Sequence, residues 1–90
     1  MKYIIVDSNL ADLSIFQQDL VKILIEIDNE GHVKREIGFN GNGEVVHAFP
    51  SKKYKYGKYG IFDLNLFEYS SVIDDSNIID FENEWSKILT

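Results

Sequence analysis

The chain has 90 residues, 44% of them hydrophobic and 27% charged, and no cysteine; this fits one folded domain over 1–90 and excludes intrinsic disorder, disulfide staples and thiolate chemistry. Fifteen acidic against nine basic residues leave a net charge of −6, which disfavours nucleic acid as a general ligand and suits a basic protein partner, although a charge of this size also serves solubility alone. No apolar run approaches the ~20 residues of a membrane-spanning helix, and the run after Lys2 stops at Asp7, too soon for a signal peptide, so the expectation is a soluble cytoplasmic protein with no membrane partner.

Residues 2 to 6, Lys-Tyr-Ile-Ile-Val, are β-branched and aromatic and read as a short strand. Asp7, Ser8 and Asn9 then offer N-caps, and Leu10, Leu13, Phe16 and Leu20 recur at helical spacing, which predicts a helix over about 9–19. Val21, Ile23, Ile25 and Ile27 alternate strictly, so a strand follows over about 20–28, with Lys22, Leu24, Glu26 and Asp28 on its other face. Asp28 to Gly31 supply turn chemistry. In the next strand, about 32–39, parity puts Val33, Ile37 and Phe39 on one face and Lys34 and Glu36 away from it. Arg35 shares the apolar face, where its stem can cover apolar surface or its head can pair with an acid from a covering helix. Asn40-Gly41-Asn42-Gly43 is the strongest turn signal, and residues 44 to 49 return as a strand that Pro50 ends.

After Pro50 the composition changes. Residues 51 to 60 hold four lysines, three tyrosines and two glycines and read as a loop; 61 to 67 reads as a short strand or a buried turn, and 68 to 77 as loop. Ile78, Phe81, Trp85 and Ile88 fall on one stripe, predicting a helix over about 78–89 capped by Ser76 or Asn77. The expected architecture is α+β: an antiparallel sheet of three to five strands with a central meander over about 20–49, covered by the helices near 9–19 and 78–89.

No catalytic or metal motif stands out. His32 lies beside a turn and reads as solvated; His47 reads as a satisfied, half-buried strand residue. With no cysteine and no second histidine four residues on, no metal site and no cofactor is expected. Ser51 with His47 is the one formal nucleophile–base pair, without a visible oxyanion loop, so the chain does not read as an enzyme. Asp74 and Asp75, followed by Asp80, Glu82 and Glu84, form an acidic run that lacks calcium-loop spacing. It is a solvated helix approach or a negative patch for a basic partner. The lysine–tyrosine loop suits stacking on single-stranded nucleic acid or a protein interface, or is simply a solvated connection.

Glu26-Ile27-Asp28, Glu30-Gly31, Val33, Arg35-Glu36-Ile37-Gly38-Phe39 and Gly43 resemble a pattern in small bacterial domains, in which an acid-rich turn leads to an arginine-bearing strand and a glycine turn. The end of the chain, Phe81-Glu82-Asn83-Glu84-Trp85, is similar to their last helix. Such domains resemble immunity proteins of polymorphic-toxin and contact-dependent growth inhibition systems, and the likeness leaves out the lysine–tyrosine loop. The resemblance implies a cytoplasmic inhibitor that binds the C-terminal toxin domain of a cognate effector, typically a basic nuclease. On that reading, Asp74, Asp75, Asp80, Glu82 and Glu84 would speed encounter and mimic phosphate, Tyr54, Tyr56 and Tyr59 would supply anchors, and Glu26, Asp28 and Glu36 would add a polar sheet edge. The alternatives are a nucleic-acid-binding or regulatory module that uses the loop at 52–59, and an accessory structural domain with no toxin partner.

Overall fold

In the computed structural model, which describes residues 1–10, 12–62, 67–68 and 73–88, four strands form one antiparallel sheet. They are β1 (Lys2–Asp7), β2 (Lys22–Ile27), β3 (Val33–Phe39) and β4 (Val45–Phe49), in the spatial order β1-β2-β3-β4. The meander thus extends to the first strand. Ile4 faces Ile25 and Val6 faces Ile23 across one face, while Ile5 faces Leu24 and Tyr3 faces Glu26 across the other. The turns hold through side chains that imitate backbone. Asp28 accepts hydrogen bonds from the N–H groups of Glu30 and His32, and Asn40 accepts from those of Asn42 and Glu44. Gly43 closes the second turn at φ +80°, a conformation a side chain would strain.

Two β-bulges upset the parity of β3 and β4. Arg35 pairs with Glu26 but Val33 pairs with Ile27, leaving Lys34 as the extra residue; His47 pairs with Gly38 but Val45 pairs with Phe39, leaving Val46 as the extra one. Val33 therefore joins the face of Ile23, Ile25 and Ile27, whereas Ile37 and Phe39 join Leu24 on the opposite face. This corrects the expected single stripe of Val33, Ile37 and Phe39.

Both faces are covered. On the first, Leu13 and Leu20 from the β1–β2 connection complete a core with Ile4, Ile23, Ile25, Ile27 and Val33, flanked by Ile61, Phe62 and Phe67. On the second, Leu24, Ile37 and Phe39 pack against Phe81, Trp85 and Ile88. Each fully buried aliphatic side chain stabilises the fold by about 1.5–3 kcal/mol over its exposed state.

The helix expected over 9–19 is absent: among the described residues, that segment holds turns and one 3-10 turn at Leu13–Ile15, capped by Asp12. Leu13 is buried, but Leu10 and Ile15 are 74% and 72% exposed. Closure explains the failure. Ser8 N–H donates to Val21 O at 3.0 Å, so the intervening chain must leave and return to the same place. A helix over 9–19 would carry it about 15 Å away, and the few remaining links could return it only fully stretched. Asp7 and Asp12 also bond the nearby N–H groups of Asn9 and Ser14, local bonds that compete with helix.

The C-terminal helix is shorter than expected. It is α1, Phe81–Ser86, with Asp80 as its cap rather than Ser76 or Asn77, because the N–H groups of Ile78 and Ile79 bond back to Asp75 O in a separate turn. Ile61 and Phe62 form a bend, and the rest of the segment read as a strand or buried turn, 63–66, lies outside the described residues. The described part of 68–77 contains no helix or strand. No described helix is long and apolar enough to cross a membrane.

Candidate functional site

The residues singled out from sequence do not form one surface. Glu36 is the furthest from expectation. It projects from β3 into the first core and is fully buried, as is His47 on β4. The Glu36 carboxylate accepts three hydrogen bonds: from His47 Nε2 at 2.8 Å, from Ile61 N–H at 2.7 Å and from Phe62 N–H at 2.7 Å. Gly38, opposite His47, makes the space: a Cβ there would lie 2.9 Å from His47 Cβ and 2.6 Å from Leu20 Cδ1. His47 Nδ1 is buried with no hydrogen-bond partner among the described residues. A neutral ring with its proton on Nε2 fits this arrangement, because it donates to Glu36 and leaves only a lone pair on Nδ1. The pair anchors residues 61–62 to the sheet, and Glu36 is out of reach of any partner's surface. His47 is correspondingly not the half-buried, satisfied residue expected.

Ser51 does not join this centre. Its Oγ accepts from Lys53 N–H at 3.2 Å, and no hydrogen bond links it to His47. No group of three or more His, Asp or Glu side chains among the described residues is placed to hold a metal.

Glu26 and Glu82 meet on the opposite face around Arg35. The guanidinium donates to both Glu26 oxygens, at 2.8 and 2.6 Å, and to both oxygens of Glu82 on α1. It also lies 4.8 Å from the Phe81 ring centre and 5.1 Å from that of Trp85. The pairing of Arg35 with an acid from a covering helix, open at the level of sequence, is therefore realised. Hydrogen bonds from Arg35 hold the Glu82 carboxyl below the usual range, and the two carboxylates push the arginine up. Burial, then a hydrogen bond with Glu26, pushes the Tyr3 hydroxyl up. This centre clamps α1 to the sheet.

Asp74 and Asp75 line the free edge of β1. Tyr3 N–H donates to Asp74 at 3.3 Å, Ile5 N–H donates to Asp75 at 2.9 Å, and Asp75 N–H donates to Tyr3 O. The two carboxylates thus blunt an edge strand, one of the standard ways of preventing edge-to-edge association. A hydrogen bond from Ser76 N–H, assisted by Tyr3 N–H, lowers the Asp74 carboxyl. Asp28 is lowered chiefly by the N–H of His32, and it also faces Lys34 Nζ at 3.5 Å. His32 is exposed, as expected for a residue beside a turn.

Asp80 and Glu84 remain on a usable surface. They border a groove of about 330 Å³ between α1 and the sheet, with Leu24, Phe39 and Lys22 in its lining and the Lys22 ammonium 5.0 Å from the Phe39 ring centre. Ile78 lines the same groove and is 78% exposed. Sequence periodicity placed Ile78 on the buried stripe; its exposure follows from the late start of α1.

The lysine–tyrosine loop is ordered by hydrogen bonds. Ser51 N–H donates to Gly57 O at 2.8 Å, Gly57 N–H to Tyr54 O at 3.0 Å, and Gly60 N–H to Tyr56 O at 2.7 Å. A Cβ on Gly57 would lie 1.9 Å from Ser51 O, so only glycine lets the loop close so tightly. Tyr54 and Tyr56 are half-buried, whereas Tyr59 is 68% exposed. The ammonium groups of Lys53, Lys55 and Lys58 lie 5.6, 5.1 and 5.2 Å from the ring centres of Tyr54, Tyr56 and Tyr59. Neither a known protein family, nor a curated protein, nor a solved structure matches this chain.

Proposed function

We propose that this chain is a small cytoplasmic immunity protein that binds the basic toxin domain of a cognate effector and neutralises it by covering its working surface. The observation that carries the reading is the groove between α1 and the sheet. It combines an apolar floor at Leu24 and Phe39, with the Lys22 ammonium over the Phe39 ring, the exposed Ile78 and the carboxylates of Asp80 and Glu84. An apolar centre with a charged rim is the anatomy of a protein interface, and a groove of this size accepts one long side chain from a partner. A lysine or arginine would lay its stem on the floor and its charge against the acids. The net charge of −6 would steer a basic partner and raise the encounter rate. The sequence resemblance to immunity proteins supports the same reading. Under it the other candidate acids divide: Glu26, Asp75 and Glu82 support the framework, while Asp28 and Asp74 contribute long-range charge.

Co-expression with a basic toxin domain encoded beside this chain tests the proposal. A stable complex and restored growth are expected. Ile78→Ser, Asp80→Asn and Glu84→Gln should together weaken the complex at least tenfold, by loss of an anchor and of two charges. Asparagine still caps a helix, so α1 is preserved. Absence of a complex or of growth rescue would sink the proposal, and full affinity in the triple variant would move the interface elsewhere.

A further inference from the structure

We propose that the loop at 51–60 is a binding site for single-stranded nucleic acid, its phosphates held by Lys52, Lys53, Lys55 and Lys58 and its bases laid against Tyr54 and Tyr59. The first support is charge segregation. Between Glu44 and Asp63 the sequence has four lysines and no carboxylate, and with those lysines set aside the net charge of −6 becomes −10. Charge of one sign is thus concentrated on a single loop of an otherwise acidic molecule. Among the described residues, none of the four ammonium groups is within ion-pair distance of a carboxylate, although Arg35, Lys34 and Lys87 each have an acidic partner. Lys53, Lys55 and Lys58 instead lie over tyrosine rings.

The second support is geometry. The hydrogen bonds through Ser51 and Gly57 give the loop a set shape, so a ligand meets little ordering cost there. Lys52, Tyr54 and Lys58 line one open depression of about 810 Å³ together with Ser51 and Gly57. Two lysines and one tyrosine around a single hollow match a nucleotide, with charge for the phosphate and a flat face for the base. The ammonium groups of Lys53, Lys55 and Lys58 each lie over a tyrosine ring at cation–π distance, so charge and aromatic face are presented together along the loop.

The acidic remainder selects the form of polyanion. Charges are screened over about 8 Å at physiological salt, and the molecule measures 31 × 26 × 25 Å. A thin, flexible strand can follow the loop and stay beyond reach of the acids. A duplex or an anionic membrane is broad and stiff and would meet them, and an acidic peptide would make no use of the rings.

Fluorescence anisotropy with a labelled oligothymidylate of about 12 nucleotides tests the proposal. Binding should weaken about 20- to 50-fold between about 50 and about 200 mM salt, as expected for three or four neutralised phosphates. Lys52→Gln with Lys58→Gln should lower affinity and flatten the salt slope by about 1.4, with an unchanged melting temperature. Tyr54→Leu should weaken oligothymidylate binding about tenfold and leave binding of linear polyphosphate unaltered. If Tyr54→Leu lowers the melting temperature, the exposed Tyr59→Leu carries the same comparison. No binding at low salt, equal affinity for polyphosphate of matched charge, or tighter binding of duplex would each overturn the proposal. These readouts need no toxin domain and are independent of the α1 groove.

Discussion

Replacing Glu36 by glutamine keeps the size of the side chain and removes one acceptor oxygen. In the native protein one oxygen accepts from His47 Nε2 and Ile61 N–H, and the other accepts from Phe62 N–H, all at 2.7–2.8 Å. The amide of glutamine must turn its NH2 toward one of these positions. If it replaces the first oxygen, Ile61 N–H meets a donor, whatever tautomer His47 adopts. If it replaces the second, Phe62 N–H does. One backbone donor therefore loses its partner in either orientation, at a cost of about 1–3 kcal/mol. Glu36→Ala strands all three donors and adds a cavity, so it should cost more, about 3–6 kcal/mol. A 90-residue domain has about 5–13 kcal/mol in total, so the alanine variant approaches global unfolding. Urea unfolding followed by Trp85 fluorescence and by far-ultraviolet circular dichroism measures both. Trp85 is the only tryptophan and lies half-buried on α1, on the face opposite Glu36, so agreement of the two signals shows that the loss is global. The glutamine variant should lower the melting temperature by about 4–8 °C for each kcal/mol lost. A glutamine variant within about 0.5 kcal/mol of the native protein would refute the argument, since that is the scatter of ordinary surface substitutions.

Arg35→Met removes the cation and leaves Glu26, 4% exposed, without its ionic partner; a loss of about 3 kcal/mol is expected in urea unfolding, and Glu26→Gln added to it should recover part of that loss. Gly57→Ala would place a methyl group 1.9 Å from Ser51 O, so the loop must open; faster amide exchange at position 57 is expected, and unchanged exchange would count against the close approach. The acid limb of stability follows from Asp28, Asp74 and Glu82, all held below their ordinary values of 3.8 for aspartate and 4.5 for glutamate. The unfolded chain takes up these protons first, so the stabilisation is present above 4.5 and is lost as pH falls through the folded values. Tyr3 acts in the opposite sense: its raised value stabilises the fold below 10.0, and the gain is lost at higher pH. Melting temperatures across pH should thus fall at both ends, and a rise on acidification below 3.8 would contradict the carboxylate assignments.

Much of the sheet was legible from residue order. Ile23, Ile25 and Ile27 alternate, and Asp28 to Gly31 and Asn40 to Gly43 are self-sufficient turns, so the strands at 22–27, 33–39 and 45–49 follow from local chemistry. The lysine–tyrosine loop was equally visible, because composition alone marks it. Parity failed where tertiary pairing intervened. A bulge is a property of two strands, so nothing in Val33-Lys34-Arg35 announces that Lys34 is the extra residue. Glu36 and His47 read as polar, and their burial depends on donors from Ile61 and Phe62, 25 and 26 residues from Glu36. Asp74 and Asp75 read as an acidic patch, and only the free edge of β1 turns them into backbone acceptors.

The stripe of Leu10, Leu13, Phe16 and Leu20 is a sound helical signal, yet the closure between Ser8 and Val21 overrides it. Residue order therefore determined which segments prefer strand and where they turn, because those preferences act within a few residues. The assembled sheet decided which polar side chains are enclosed, which acids stay exposed and which apolar stripe never becomes a helix. Each of those outcomes depends on a group, or on a closure distance, supplied by a remote part of the chain.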